Sequence, residues 1–423
     1  MKVKELRNKI LDGALSAYSS IYPDVELAKA RYLSMIDGFA KLYGENREAV
    51  LLSAPGRCEI IGNHTDHNGG RVIAGAVTRD IIAIASPRAD GKVRLKSFGH
   101  AECVTSLDEA ASPENYERYT SAALVGGVIR KFGEWGYTVG GFDAYTSTEV
   151  LSGSGLSSSA AFEVMVGNIL NHLYLNGEVS PTRLALAAQY AENVYFGKPS
   201  GLMDQLASAV GGFVFIDFEK RGEPTFEAIK LSLSDAGYTL CVVNTRGSHA
   251  DLNDEYAAVP LEMGAVAKFF GKDILRGLSE PQLISKAAEI REALGDRALL
   301  RAIHFIREDA RAEAAKNALE AGDVQRFLAL MTESGNSSYK YLQNIYAPKN
   351  PKEQGLSVAL SLTDGFLFGD GAYRVQGGGF AGTIEAIVPT ERVSEYTSLM
   401  DSAFGEGAVM TLDVREAGAI RIF

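Results

Sequence analysis

Residues Val150–Val166 read VLSGSGLSSSAAFEVMV. Glycine and serine turns run straight into a segment whose Phe162, Val166, Ile169, Leu170 and Leu173 fall on one helical face. A glycine-rich loop opening a helix is suited to anions. Its free backbone N–H groups and the positive end of the helix dipole favour phosphate. Gly153 and Gly155 permit close approach, and Ser157, Ser158 and Ser159 add hydroxyl donors. The lysine of a Walker A loop is missing. Taken alone, the stretch reads equally well as an ordinary helix entry.

Upstream, Arg31–Leu42 carries apolar residues at helical spacing and Gly44 stops it. Strands are expected at Ala49–Ala54, Val72–Val77, Ile81–Ser86 and Lys92–Phe98, the last after an Asp90–Gly91 turn. A helix over Tyr119–Phe132 and a strand over Phe142–Ser147 lead into the loop. Downstream, Ser180–Pro181 starts a helix running to about Tyr195. Strands at Phe213–Phe218 and Thr239–Val243 flank a polar connection, the expected boundary between domains 1–225 and 226–423. Pro260–Glu333 reads as mostly helical, with a start at Ser279–Pro281 and a stop at Gly295. The remainder returns to strands at Ile384–Val388, Val409–Leu412 and Ile420–Phe423. Without regular βαβ alternation, the class is α+β.

A chain of 423 residues exceeds the size at which one core keeps growing, which favours two domains. A net charge of −11 argues against nucleic acid or an anionic membrane as partner. The three cysteines, Cys58, Cys103 and Cys241, have no paired spacing, so a disulfide framework and a zinc site are not indicated. No apolar run approaches membrane-spanning length, and charges interrupt any signal-peptide core near the N-terminus. A cytoplasmic, monomeric protein is expected.

Three other stretches carry chemistry. In Ala54–Gly70, APGRCEIIGNHTDHNGG, turns flank a dense polar run. Arg57, His64, Asp66 and His67 there offer the donors and acceptors a sugar requires, or else form a solvated hairpin loop. In Gly197–Gly212, GKPSGLMDQLASAVGG, Asp204 sits among apolar residues as a helix cap or a functional carboxylate. Glu192, just upstream, ends a helix and by itself reads as a solvated face residue. In Gln376–Gly382, QGGGFAG, successive glycines permit close backbone approach or a flexible turn.

In this order the stretches resemble the superfamily of galacto-, homoserine-, mevalonate- and phosphomevalonate kinases (GHMP kinases), and the galactokinases most closely. Ala54–Gly70 is similar to the sugar signature, Gly153–Ala161 to the GLSSSAA phosphate loop, Gly201–Gln205 to the run bearing the catalytic aspartate, and Gly377–Gly382 to the third glycine motif. The resemblance implies a two-domain α+β fold, with an N-terminal ribosomal-protein-like domain and a ferredoxin-like C-terminal domain. The active site would lie in the cleft between them. It implies ATP- and Mg²⁺-dependent phosphorylation of a sugar at its anomeric hydroxyl, D-galactose being the expected substrate. Asp204 and Arg57 match the catalytic pair, and Ser159 and Glu192 the Mg²⁺ ligands. Gly153, Ser154, Gly155, Leu156, Ser157, Ser158 and Ser159 match the ATP-phosphate loop, and Ser97 a nucleotide contact. Asn63, His64, Asp66, Gly201 and Tyr256 match the sugar contacts.

Two positions depart from the family. Its glutamate is Asn63 here, and its tyrosine is His67. An amide in place of a carboxylate weakens a charge-assisted hydrogen bond to a hydroxyl and stops repelling a carboxylate. Asn63 therefore raises the expectation of altered discrimination, with a galacturonate-, arabinose- or amino-sugar kinase as the alternative. A non-catalytic sugar and ATP sensor is the rival from another class.

Overall fold

The computed structural model describes residues 1–150, 155–198, 200–220, 223–229, 231–248 and 251–423. Gly153 and Ser154 of the expected phosphate loop lie outside them.

Seven strands come first: β1 (Val50–Ile61), β2 (Arg71–Arg88), β3 (Lys92–Ser97), β4 (Glu102–Ser106), β5 (Gly141–Thr148), β6 (Phe213–Asp217) and β7 (Thr225–Ile229). Then follow β8 (Tyr238–Asn244), β9 (Ala372–Val375), β10 (Thr383–Pro389), β11 (Val409–Leu412) and β12 (Ile420–Arg421). Among the described residues they form two sheets. The larger has the order β12-β1-β2-β5-β3-β4, with β6 and β7 branching from β2; the smaller is β11-β8-β10-β9. The smaller sheet is antiparallel throughout. The final strand, β12, crosses back to pair with β1.

β1 departs from the expectation. Pro55–Gly56 reads as a turn in sequence, yet the strand runs through it to Ile61 and is buried along its whole length. The pairing with β2 shifts register between Pro55 and Arg57. A bulge tolerates the missing proline N–H and lets the strand continue. Arg57 and Glu59 then share one face by strand alternation. The run that sequence reads as a hairpin loop is thus half strand. The strands expected at Val72–Val77 and Ile81–Ser86 are likewise one 18-residue strand.

The helix Ser158–Tyr174 is buried on nearly every side, with Ala161, Val164, Met165, Ile169 and Leu170 in the main core. An all-round apolar helix belongs in an interior. Each such large side chain contributes roughly 1.5–3 kcal/mol by burial. Ile169→Ala would therefore cost about 2–5 kcal/mol. This rigid helix carries the loop residues at its N-terminus. Ser180 caps Pro181–Tyr190 through the Arg183 N–H, as its sequence predicts, and the chain then winds into a π-helical turn, Ala191–Phe196. That turn carries Glu192 inward. The described residues contain no helix long and apolar enough to cross a membrane.

Candidate active site

Arg57 on β1 and Asp204 in the first turn of the helix Met203–Val210 form a two-pronged ion pair. Arg57 Nε donates to Asp204 Oδ1 at 2.7 Å and Nη2 to Oδ2 at 2.6 Å. The remaining prong, Nη1, donates to the Gly155 carbonyl at 2.6 Å. Ser157 Oγ donates to Asp204 Oδ2 at 2.7 Å. Burial would lift the Asp204 carboxyl, but the guanidinium and the serine outweigh it and hold the group below its ordinary range. Asp204 is an ionised acceptor touching the loop, not a helix cap.

The described part of that loop is pinned from both sides. Leu156 is buried and its carbonyl accepts the Arg57 backbone N–H at 3.1 Å. Gly155 has φ +76° and packs so tightly that a Cβ would strike Thr383 Oγ1. Only glycine meets both conditions. Ser158 opens the helix, and one residue on, Ser159 Oγ donates to Glu192 Oε1 at 3.0 Å. Glu192 is 2% exposed, which removes its reading as a solvated residue. Its other oxygen accepts from Gln205 Nε2 at 2.8 Å, and Lys198 Nζ lies 2.9 Å from Oε1. A hydroxyl and a carboxylate are oxygen donors of the kind Mg²⁺ takes, and Mg²⁺ needs few protein ligands because it keeps its waters. The ammonium of Lys198 already pairs with the carboxylate oxygen such a cation would use. The donor set fits.

The glycine run joining β9 to β10 reaches across to the sugar-signature residues with its carbonyls. His64 Nε2 lies 3.0 Å from Gly378 O, so that nitrogen carries the proton, and Tyr256 OH donates to Gly379 O at 2.8 Å. Burial pushes the His64 imidazole down to about 4, so it is neutral near pH 7. Asp66 Oδ1 accepts from His67 Nδ1 at 3.1 Å. Gly201 lies so close to Asp66 that a Cβ would land on its Oδ2. Arg57, His64, Asp66 and Asp204 line a cavity of about 170 Å³ together with Gly377 and Gly378. A neighbouring cavity of about 670 Å³ is lined by His64, Asp66, Lys198, Gly201 and Tyr256.

Residues 37–87 match the family model for the galactokinase galactose-binding signature, and residues 123–212 that for the GHMP kinase N-terminal domain. A galactokinase of Streptomyces coelicolor is 34% identical over 385 residues, 90% of this chain and 94% of that one. The chain belongs to the galactokinase family. The crystal structure of Lactococcus lactis galactokinase complexed with galactose superposes with a TM-score of 0.77 at 25% identity, covering 91% of this chain and 98% of that one. Methanococcus jannaschii mevalonate kinase, 16% identical, covers 87% of this chain and 98% of its own with a TM-score of 0.59, which speaks to the fold alone.

For a galactokinase family member, one sequence expectation needs correction. Asn63 is fully buried and its amide is spent inside the protein. Nδ2 donates to Glu59 Oε1 at 2.9 Å and to Gly377 O at 2.8 Å. Oδ1 accepts from Ser338 Oγ at 3.1 Å and from Asn344 Nδ2 at 2.8 Å. Two donors and two lone pairs exhaust a primary amide, so none is left for a ligand. Ser97 stands apart from this group. It ends β3 with its hydroxyl 2.8 Å from Thr146 Oγ1. Sequence reasoning passed over Lys198 and Glu59, both at the walls of these cavities. Alternation along β1 was the signal for Glu59, obscured by reading its proline and glycine as a turn.

Proposed function

We propose that this protein transfers the terminal phosphoryl group of ATP to the anomeric hydroxyl of galactose. The observation that carries the reading is the Arg57–Asp204–Ser157 cluster, where an ionised carboxylate touches a glycine–serine loop at the N-terminus of a core helix. Asp204 holds the attacking hydroxyl by its proton. Arg57 aligns Asp204 and keeps it ionised. Gly155–Ser159 receive the phosphates on backbone N–H groups and hydroxyls, while His64, Asp66, Gly201 and Tyr256 orient the sugar. Ser159 and Glu192 would hold Mg²⁺, which supplies charge neutralisation at the phosphates. Phosphoryl transfer asks mainly for positioning and electrostatic stabilisation, and these residues supply both.

A second domain is supported by the sheets in part: β8–β11 form a sheet of their own after residue 229, while β7 (Thr225–Ile229) and the returning β12 belong to the larger sheet, so the 225/226 boundary falls inside β7. The Gly377–Gly379 carbonyls then bring the second domain to the sugar residues of the first. The experiment is a coupled ADP-release assay with galactose, galacturonate, arabinose and amino sugars, with product phosphorylation at C1 confirmed by NMR. Galactose should be turned over with the highest kcat/KM. Absence of turnover with the whole panel would favour a sensor and overturn the reading.

A further inference from the structure

The family resemblance places a carboxylate where this chain has Asn63, yet the cavity is not short of one. Glu59 shares the face of β1 with Arg57 and lines the same cavity of about 170 Å³ with His64, Asp66 and Asp204. It is only 4% exposed and is held from three directions. Its backbone N–H donates to Gln376 Oε1 at 3.2 Å, and its carbonyl accepts from Arg374 Nη1 at 2.7 Å. Its Oε1 accepts from Asn63 Nδ2 at 2.9 Å, with Arg374 Nη2 at 3.4 Å. Among the described residues no donor reaches Oε2. A rigid carboxylate whose second oxygen opens onto a cavity takes its donor from whatever fills that cavity, and a sugar hydroxyl can supply it in place of water.

We propose that Glu59 is a substrate-contacting residue whose Oε2 accepts a hydroxyl of the bound sugar, and that Asn63 is the positioning residue that aims it. This rests on the reading of the cavity as the sugar site. It follows that the site prefers a neutral hydroxyl donor at that point and rejects a sugar carboxylate there by like-charge repulsion. Asn63 therefore contributes to selectivity through Glu59, not by touching the sugar.

The test pairs Glu59→Gln with the four monodeoxygalactoses (2-, 3-, 4- and 6-deoxy) and galacturonate. A charged hydrogen bond lost to the near-isosteric amide should lower kcat/KM for galactose by about ten-fold or more. For one deoxy sugar, the one lacking the contacted hydroxyl, wild type and variant should agree within about two-fold, because the bond is already gone. When that sugar is the 6-deoxy one, the galacturonate-to-galactose ratio should rise as well, since the carboxylate of galacturonate stands at C6. Ratios between sugars cancel any change in the active fraction, so partial misfolding does not mimic the result. Asn63→Ala should shift the ratios in the same sense by a smaller factor, while a purely structural role would lower all sugars equally. Equal losses across all sugars in Glu59→Gln would overturn the proposal. If wild type turns over no sugar, the kinase reading fails instead. Calorimetric binding of galactose then decides for Glu59 alone: affinity about ten-fold weaker in Glu59→Gln supports it and unchanged affinity overturns it.

Discussion

Arg57 and Asp204, 147 residues apart in sequence, meet fork to fork with both guanidinium–carboxylate contacts under 3 Å. Such a pair fixes orientation as well as charge. Asp204→Asn keeps the shape but removes the charge and replaces one acceptor oxygen by a donor, so turnover at saturating sugar should fall by about 10²–10⁴-fold with the fold retained. Arg57→Lys keeps the charge and loses the fork, and should also slow turnover. Steady-state kinetics with circular dichroism check both. Turnover of Asp204→Asn within a few-fold of wild type would remove Asp204 from the proposed role.

Glu192 is shared by Ser159 and Lys198, and this predicts opposite signs for two kinds of substitution. Ser159→Ala and Glu192→Gln remove oxygen donors and should raise the Mg²⁺ concentration needed for half-maximal turnover. Lys198→Met removes a cation that competes for the same carboxylate and should lower it. Mg²⁺ titrations of activity and of ADP binding measure the three together. Identical titrations in all variants would separate Glu192 from the metal.

Asn63→Glu should destabilise the protein and not create a direct contact with the sugar. The new carboxylate would face Glu59 and the Gly377 carbonyl, two acceptors, without leaving the interior. Leaving buried groups unsatisfied costs about 1–3 kcal/mol each. Thermal unfolding of the variant against wild type reads this directly. An unchanged melting temperature would show that position 63 can open to solvent.

Glu385 on β10 is fully buried, and neither oxygen makes a conventional hydrogen bond; the weak thiol donor of Cys58 is at hand. Burial, opposed by Arg374 and reinforced by Glu59, pushes its carboxyl up from 4.5 to about 8. The folded state therefore binds this proton more tightly than the unfolded chain does. Its stabilising contribution is full below about pH 4.5 and is lost as pH rises towards 8. Glu385→Gln carries no such proton. Its melting temperature relative to wild type should rise between pH 5 and pH 8. A difference independent of pH in that window would place the titration elsewhere.

Local signals served well where the physics is local. Ser180 caps its helix, Ser279 with Gln282 forms a capping box, and Gly44 and Gly295 end theirs, because capping involves groups only a few residues apart. Pro55–Gly56 misled because whether such a pair turns the chain or bulges a strand depends on β2, whose pairing partners are contributed from beyond residue 70. Glu192 misled for the same reason, since the π-helical turn that sends it inward is completed by Ser159, Lys198 and Gln205.

By itself, the sequence determined the α+β class and the kinase resemblance, and it singled out Arg57, His64, Asp66, Ser159 and Asp204 as candidates. Each of these lies in a short motif whose spacing encodes its own local geometry. Only the tertiary structure decided what Asn63 does. An amide is chosen by its four hydrogen-bond partners, and these come from β1, from the glycine run before β10 and from Ser338 and Asn344, far apart along the chain. Their convergence buries Asn63 and turns the open carboxylate oxygen at the cavity wall into a property of Glu59. Burial and pairing are sums over neighbours that a motif does not contain.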